Sequence, residues 1–312
     1  MRKLLPLAAL LVLLATLIIL ASSALRLHIY DGFESSHLSR FCWSRSRFAP
    51  GAVAVQDRFV RSGRQALAIT VHSGDCFEQG VDGSASTERA ELMEAFWLFS
   101  HTGRTYAYSF SIYLPNDFPA TPERSVKAQW RQLCEARHCR PDRPILAVRY
   151  EQGRLQVTRQ NQDEKVLLYQ GSDDVRGRWL DFRFVVRFDT SANGTIAATL
   201  NGREIVDYRG PSAFPPAPGY PQHGLVYFKI GLYRDALNEP PWTVYVDEHH
   251  KDQLPDTRLI APAKAGRGSA GDRKPRLVLT PSRVYYKCLP HTHIECGSNR
   301  SSYSEVAGIG CS

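Results

Sequence analysis

The sequence has no long amphipathic helical pattern, which excludes helix bundles and folds that layer helices on a parallel sheet. It has no internal repeat, so solenoids and propellers are excluded as well. No CxxC pair and no His/Cys cluster at zinc-finger spacing occurs, which argues against a zinc module. General disorder is excluded by composition. Of the 312 residues, 43% are apolar, enough for one large β domain with appendages or for two modest domains.

The N-terminus sets the expected compartment. Arg2 and Lys3 precede an apolar run from Leu4 to Leu20, and Ser22, Ser23 and Ala24 are the small residues a signal peptidase needs. The run is long for a signal peptide and short for a membrane span, so residues 1–24 read as a cleaved signal or an uncleaved anchor. The remainder is expected outside the cytoplasm, either secreted, periplasmic or extracellular, or tethered to a membrane through residues 4–20. Seven cysteines suit an oxidising setting. Cys134 and Cys139 are near enough to close a small loop, Cys42 and Cys76 are a further candidate pair, and the odd count leaves one thiol over. The formal net charge is +8, two units of which belong to Arg2 and Lys3. Such a charge attracts acidic partners or simply aids solubility.

From residue 25 to residue 253 the chain is a succession of short alternating segments divided by Gly, Pro, Asn and Asp, the pattern of an antiparallel sandwich or barrel. Leu180, Phe182, Phe184, Val186 and Phe188 alternate with Asp181, Arg183, Val185 and Arg187, which predicts a strand with one core face and one mostly wet face. Tyr106 to Leu114 alternates in the same way until Pro115 ends it. Asn201-Gly202 between two strand-like runs predicts a type I′ hairpin. Residues 254–282 read as a Gly/Ala/Lys/Arg-containing linker, and 283–312 as a short tail with Cys288, Cys296 and Cys311.

Three segments carry an unusual polar content: Thr87 to Leu92, Lys127 to Arg131, and Tyr227 to Tyr233. Period two places Arg89 with Glu91, Lys127 with Gln129 and Arg131, and Tyr227 with Lys229 and Tyr233. Their alternates Ala90, Leu92, Ala128, Trp130, Phe228, Ile230 and Leu232 are core residues, so the polar sets point away from the core. If the strands are neighbours, these side chains line one concave sheet, and Gly231 leaves room for something to approach the backbone. Glu88 and Glu94 fall on the opposite face from Glu91, which argues against a two-carboxylate glycosidase.

The segments Glu88-Arg89-Ala90-Glu91-Leu92, Gln129-Trp130-Arg131 and Tyr227-Phe228-Lys229-Ile230-Gly231-Leu232-Tyr233-Arg234 resemble the three hallmark strands of jelly-roll polysaccharide lyases. The heparin lyase I-like and glucuronan lyase-like group is the nearer likeness, the alginate lyases the more distant. Asp31-Gly32-Phe33-Glu34 and Val244-Tyr245-Val246-Asp247 resemble that group's closing strands, so the likeness covers roughly residues 27 to 250. It implies an all-β, antiparallel β-sandwich with a concanavalin-like jelly roll. One position departs from the group, which reads Gln-Trp-His where this chain has Arg131. His72, alternating with Val71 and Ile69, is the replacement considered for that histidine.

The resemblance implies an exported lyase that cleaves an anionic, uronate-containing glycan by β-elimination. Arg89, Gln129 and Arg131 would hold the uronate carboxylate and stabilise the enolate-like charge. Tyr233, aided by cationic neighbours such as Lys229, would serve as base, acid or both, and His72 would take the proton when base and acid lie on opposite ring faces. Lys127, Lys229, Glu91 and Tyr227 would bind substrate, with Glu91 positioning Arg89 or Lys229. No cofactor is required for this chemistry. Glu34 and Asp247 would hold a structural calcium if the terminal strands bring them together, or serve as ordinary turn carboxylates. The expected partner is an acidic polysaccharide and not nucleic acid, a membrane is touched only through the N-terminal anchor, and the chain acts as a monomer. The alternative is a non-catalytic carbohydrate-binding or adhesion jelly roll.

Overall fold

The computed structural model describes residues 27–45, 49–75, 87–121, 123–133, 143–160, 165–216, 224–236, 240–255 and 286–287. The expected leader, Cys76, Cys134, Cys139 and nearly all of the linker and tail lie outside these residues. Cys42 is buried. Among the described residues no helix is long and apolar enough to cross a membrane.

The strands, in chain order, are β1 (His28–Asp31), β2 (Trp43–Arg45), β3 (Val53–Gln56), β4 (Ala66–Val71), β5 (Thr87–Glu94), β6 (Ser100–His101), β7 (Thr105–Tyr113), β8 (Ser125–Gln132) and β9 (Leu146–Glu151). They continue with β10 (Arg154–Gln160), β11 (Lys165–Gln170), β12 (Trp179–Arg187), β13 (Thr195–Leu200), β14 (Arg203–Arg209), β15 (Leu225–Asp235), β16 (Trp242–Gln253) and β17 (Tyr286–Lys287). A single 3₁₀ turn, Phe96–Leu98, lies between β5 and β6.

They form two sheets. The first runs β14-β13-β12-β7-β16-β1-β17, with β4 pairing both β16 and β3, and the second runs β11-β10-β9-β8-β15-β5-β2, with β6 on β15. The pairing is antiparallel except for β17 beside β1. The architecture is the expected all-β jelly-roll sandwich. The hairpin predicted from Asn201-Gly202 joins β13 to β14, and both turn residues have positive φ, 49° and 79°, as a type I′ turn requires.

The core forms where the alternating apolar residues of the two sheets meet. Phe110 of the first sheet packs on Phe182 and on Phe228 of the second, each with ring centroids 5.3 Å apart, and Tyr108 meets Trp130 edge-on at 5.3 Å. In the second sheet the inward residues are Ala90, Leu92, Ala128, Trp130, Leu146, Val148, Phe228, Ile230 and Leu232, all at most 1% exposed. With those positions committed to the core, period two turns Arg89, Glu91, Gln129, Lys229 and Tyr233 to the outer face of that sheet.

Among the described residues, two ion pairs are enclosed on the inner side. Arg234 Nε donates to Glu88 Oε2 at 2.7 Å, and its guanidinium lies 4.6 Å from the Trp242 ring. Lys251 Nζ on β16 bridges the sheets to Glu94 on β5 at 2.9 Å and also reaches the Leu98 carbonyl. Burial pushes Glu94 up and Lys251 down, each opposed by the charge of the other.

Candidate active site

The three motif strands are immediate neighbours, in the order β8-β15-β5. Register then fixes the cross-strand pairs. Tyr233 lies opposite Arg89, Gly231 opposite Glu91, Lys229 opposite Gln129, and Tyr227 opposite Arg131. Side chains that are about 40 to 140 residues apart in sequence therefore share one patch.

Gln129 and Glu91 sit on strands separated by β15, yet Gln129 Nε2 donates to Glu91 Oε1. The two side chains meet above Gly231, the outer-face position of β15 that has no side chain. Lys229 Nζ lies 3.7 Å from Glu91 Oε2 and completes a Gln-Glu-Lys cluster. The face is less wet than the sequence suggests: Arg89, Glu91, Gln129 and Lys229 are only 1 to 6% exposed, packed as a polar layer, while Tyr227, Arg131 and Tyr233 are partly open.

Tyr233 is held between cations. The Arg89 guanidinium lies 4.8 Å from its ring centroid and that of Arg124 5.1 Å away, with Arg124 Nη2 3.5 Å from the hydroxyl. Arg124 is anchored by Asp235 at 2.5 Å. Arg149 on β9, also on this face, donates to Thr158 Oγ1 and interacts electrostatically with Tyr233. Burial and the charge of Arg124 push Arg149 down to about 10. The sequence reasoning missed Arg124 and Arg149. The alternation of Ala147 and Arg149 against Leu146, Val148 and Tyr150 carried the signal for the second.

One expectation needs correction and two are sharpened. Lys127 does not share the face of Gln129, because the pairing of β8 with both neighbours shifts register around it. The bulge turns Lys127 inward, where its Nζ donates to Ser125 Oγ at 2.8 Å and sits 4.4 Å from the Phe118 ring, fully buried. Its charge is opposed by burial and by Arg234, which hold its pKa well below the usual lysine range. Gly231, with φ of 146°, makes room for the β5 backbone rather than for a ligand. A Cβ there would strike the Ala90 carbonyl and come within 3.0 Å of Glu91 Cα. His72 lies past the end of β4, in the first sheet, in a turn where its backbone N–H and ring Nδ1 both meet Asp75 Oδ2, at 2.8 and 3.1 Å. That turn touches the motif strands through the Arg89 N–H, which donates to the Asp75 carbonyl at 3.1 Å. His72 is thus exposed beside the end of β5 and not in the row itself.

Glu34 and Asp247 come together around one turn, residues 61–65, as its clamps. Asp247 Oδ2 accepts the N–H groups of Arg61 and Ser62, and Glu34 Oε1 those of Arg64 and Gln65. Backbone N–H donors engage both oxygens of Asp247 and Oε1 of Glu34, and Gly63 leaves space for the Glu34 carboxylate. Among the described residues no group of three or more His, Cys, Asp or Glu could hold a metal ion.

The family model described as Polysaccharide lyase matches residues 27–250. No curated protein matches the chain. Among solved structures, the endo-β-1,4-glucuronan lyase of the fungus Trichoderma reesei is similar with a TM-score of 0.57 at 16% identity, covering 72% of this chain and 94% of that one. A mutant of alginate lyase Aly36B in complex with alginate tetrasaccharide gives 0.51 at 10% identity, covering 73% and 97%. At these identities the two structures speak to the fold.

Proposed function

The chain belongs to the polysaccharide lyase family, and from that premise we propose that it cleaves a 4-linked uronate polysaccharide by β-elimination on the outer face of the second sheet. The observation that carries the reading is the convergence of Arg89, Glu91, Gln129, Lys229 and Tyr233 on three adjacent strands.

In the reaction a base removes the C5 proton, the electron pair forms the C4–C5 double bond, the C4–O4 bond breaks, and O4 takes up a proton. The barrier lies in placing negative charge beside a carboxylate that is already anionic, so donors aimed at that carboxylate contribute most. Gln129 and Arg89 supply N–H donors there, and Arg131, at the position where the lyases this chain resembles usually read histidine, adds a further guanidinium at the partly open end. Glu91 orients Gln129 and Lys229. Tyr233 exchanges the proton, and the guanidiniums of Arg89 and Arg124 flanking its ring offset negative charge as it develops on the phenol oxygen. His72, steadied by Asp75, is the second acid–base group for a uronate whose base and acid act from opposite ring faces.

The named substrates of the two similar structures, glucuronan and alginate, are both uronate polymers and make the first assay panel. Gln129→Ala should lower kcat by about 10²-fold, the loss typical of one donor to a developing oxyanion. A change confined to KM would show that Gln129 only binds. The non-catalytic alternative predicts retention on immobilised uronan with no unsaturated product.

We read the protein as exported, on its N-terminal sequence, and its fold as independent of calcium at Glu34 and Asp247, since backbone N–H groups engage both oxygens of Asp247 and Oε1 of Glu34 in clamping one turn. Dialysis against EDTA should leave Tm unchanged. A fall in Tm that added Ca²⁺ restores would overturn the clamp reading.

A further inference from the structure

Two of the three large apolar side chains that stand most exposed among the described residues are consecutive, Phe96 at 64% and Trp97 at 62%. They lie in the 3₁₀ turn that directly follows β5, the strand of Arg89 and Glu91. Leaving about two-thirds of two large rings in water forfeits burial that a purely structural turn would seek, and adjacent exposed aromatics mark a contact surface.

The rings are fixed in place. Trp97 Nε1 donates to the Phe41 carbonyl at 2.9 Å and its ring lies 6.1 Å from that of Phe41, so the indole is held by its edge. Phe96 packs edge-on against Phe99 at 5.3 Å, and Phe99 stacks on Tyr227 at 5.2 Å with 27° between planes. Tyr227 lies opposite Arg131, with Lys229 Nζ 6.0 Å from its ring. An unbroken series of aromatic contacts thus joins Phe96 to the polar row. Tyr227 and Tyr233 are six positions apart on β15, roughly 20 Å at the usual rise of a strand, which is farther than one sugar ring extends.

We propose that Phe96 and Trp97 form a binding platform for sugar residues of the polysaccharide remote from the bond being cleaved. The occupant is the same acidic chain that lies across Arg131 and Lys229, and the inference rests on the function proposed above. Pyranose rings present apolar C–H faces that stack on fixed aromatic rings, while their carboxylates meet the neighbouring cations. The platform adds affinity only for chains long enough to span both regions, so it selects polymer over short oligosaccharide.

The test uses the full chain with Phe96→Ala and Trp97→Ala together, and Phe96→Ala alone as the variant that leaves the Trp97 hydrogen bond intact. For each, kcat/KM is measured on polymeric glucuronan or alginate and on a trisaccharide of the same uronan, and retention on the immobilised polymer is measured in a Tyr233→Phe background. The double variant should lose about tenfold in kcat/KM on polymer with the trisaccharide value unchanged, and should be retained correspondingly less. Phe96→Tyr with Trp97→Phe should restore most of the loss. Equal losses on polymer and trisaccharide, or no loss on polymer, would overturn the platform. So would binding to anionic lipid vesicles that the double variant abolishes while retention on uronan stays intact. If the wild-type chain forms no unsaturated product from any uronan, the lyase reading fails, while the retention assay still decides the platform.

Discussion

Replacing Tyr233 by Phe should lower the rate of unsaturated-uronide formation by about 10²- to 10⁴-fold, the range expected when a positioned general acid or base is removed. Phenylalanine keeps the ring between the Arg89 and Arg124 guanidiniums and loses only the hydroxyl, which Arg124 Nη2 approaches at 3.5 Å. Packing is preserved, so Tm should stay within a degree or two. Substrate affinity should also be nearly unchanged, because the donors proposed for the carboxylate, Gln129, Arg89 and Arg131, are untouched. A variant with near-normal kcat would remove Tyr233 from the chemistry. A variant with normal kcat and raised KM would make it a binding residue.

The second large effect is on stability, away from the chemistry. Lys251→Met leaves Glu94 enclosed without its countercharge, and breaking a buried pair in this way costs about 3–5 kcal/mol. Glu94 is 1% exposed and burial already pushes its pKa upward against the pull of Lys251, so the variant will fold with Glu94 protonated or not fold at all. The pair joins β16 of one sheet to β5 of the other and also ties down the Leu98 carbonyl. Its loss should therefore loosen the strand that carries Arg89 and Glu91. Glu94→Gln combined with Lys251→Met should recover much of the deficit in urea unfolding. Equal destabilisation by the single and double variants would show that packing, and not charge, accounts for the loss.

Period two was enough to read the fold, and which side chains of the candidate site share a face, where strands run regularly. Arg89 with Glu91 and Lys229 with Tyr233 share a face because β5 and β15 pair without a register shift between Lys229 and Asp235. The same rule failed at Lys127 because one extra residue in β8 reverses the alternation, and a bulge has no signature in the order of apolar and polar residues there. Gly231 was legible as a close approach, although the partner is the neighbouring strand and only the structure names it. Arg124 stands outside the strands, just before β8, and its place beside Tyr233 depends on the ion pair with Asp235, a pairing across 111 residues that no local pattern encodes. His72 continued an alternation that ends at Val71, and the Asp75 turn then carries it off the strand. The exposure of Phe96 and Trp97 had no signal in the sequence, because the exposure of an aromatic depends on what fails to cover it.

The most direct test of the account is the near-UV absorbance of purified protein mixed with glucuronan and with alginate. Cleavage by β-elimination at the outer face of the second sheet predicts a steady rise as unsaturated uronide accumulates on at least one of them, and its loss in the Tyr233→Phe variant. Shortening of the chains with no rise in absorbance, or firm binding with neither, would contradict it.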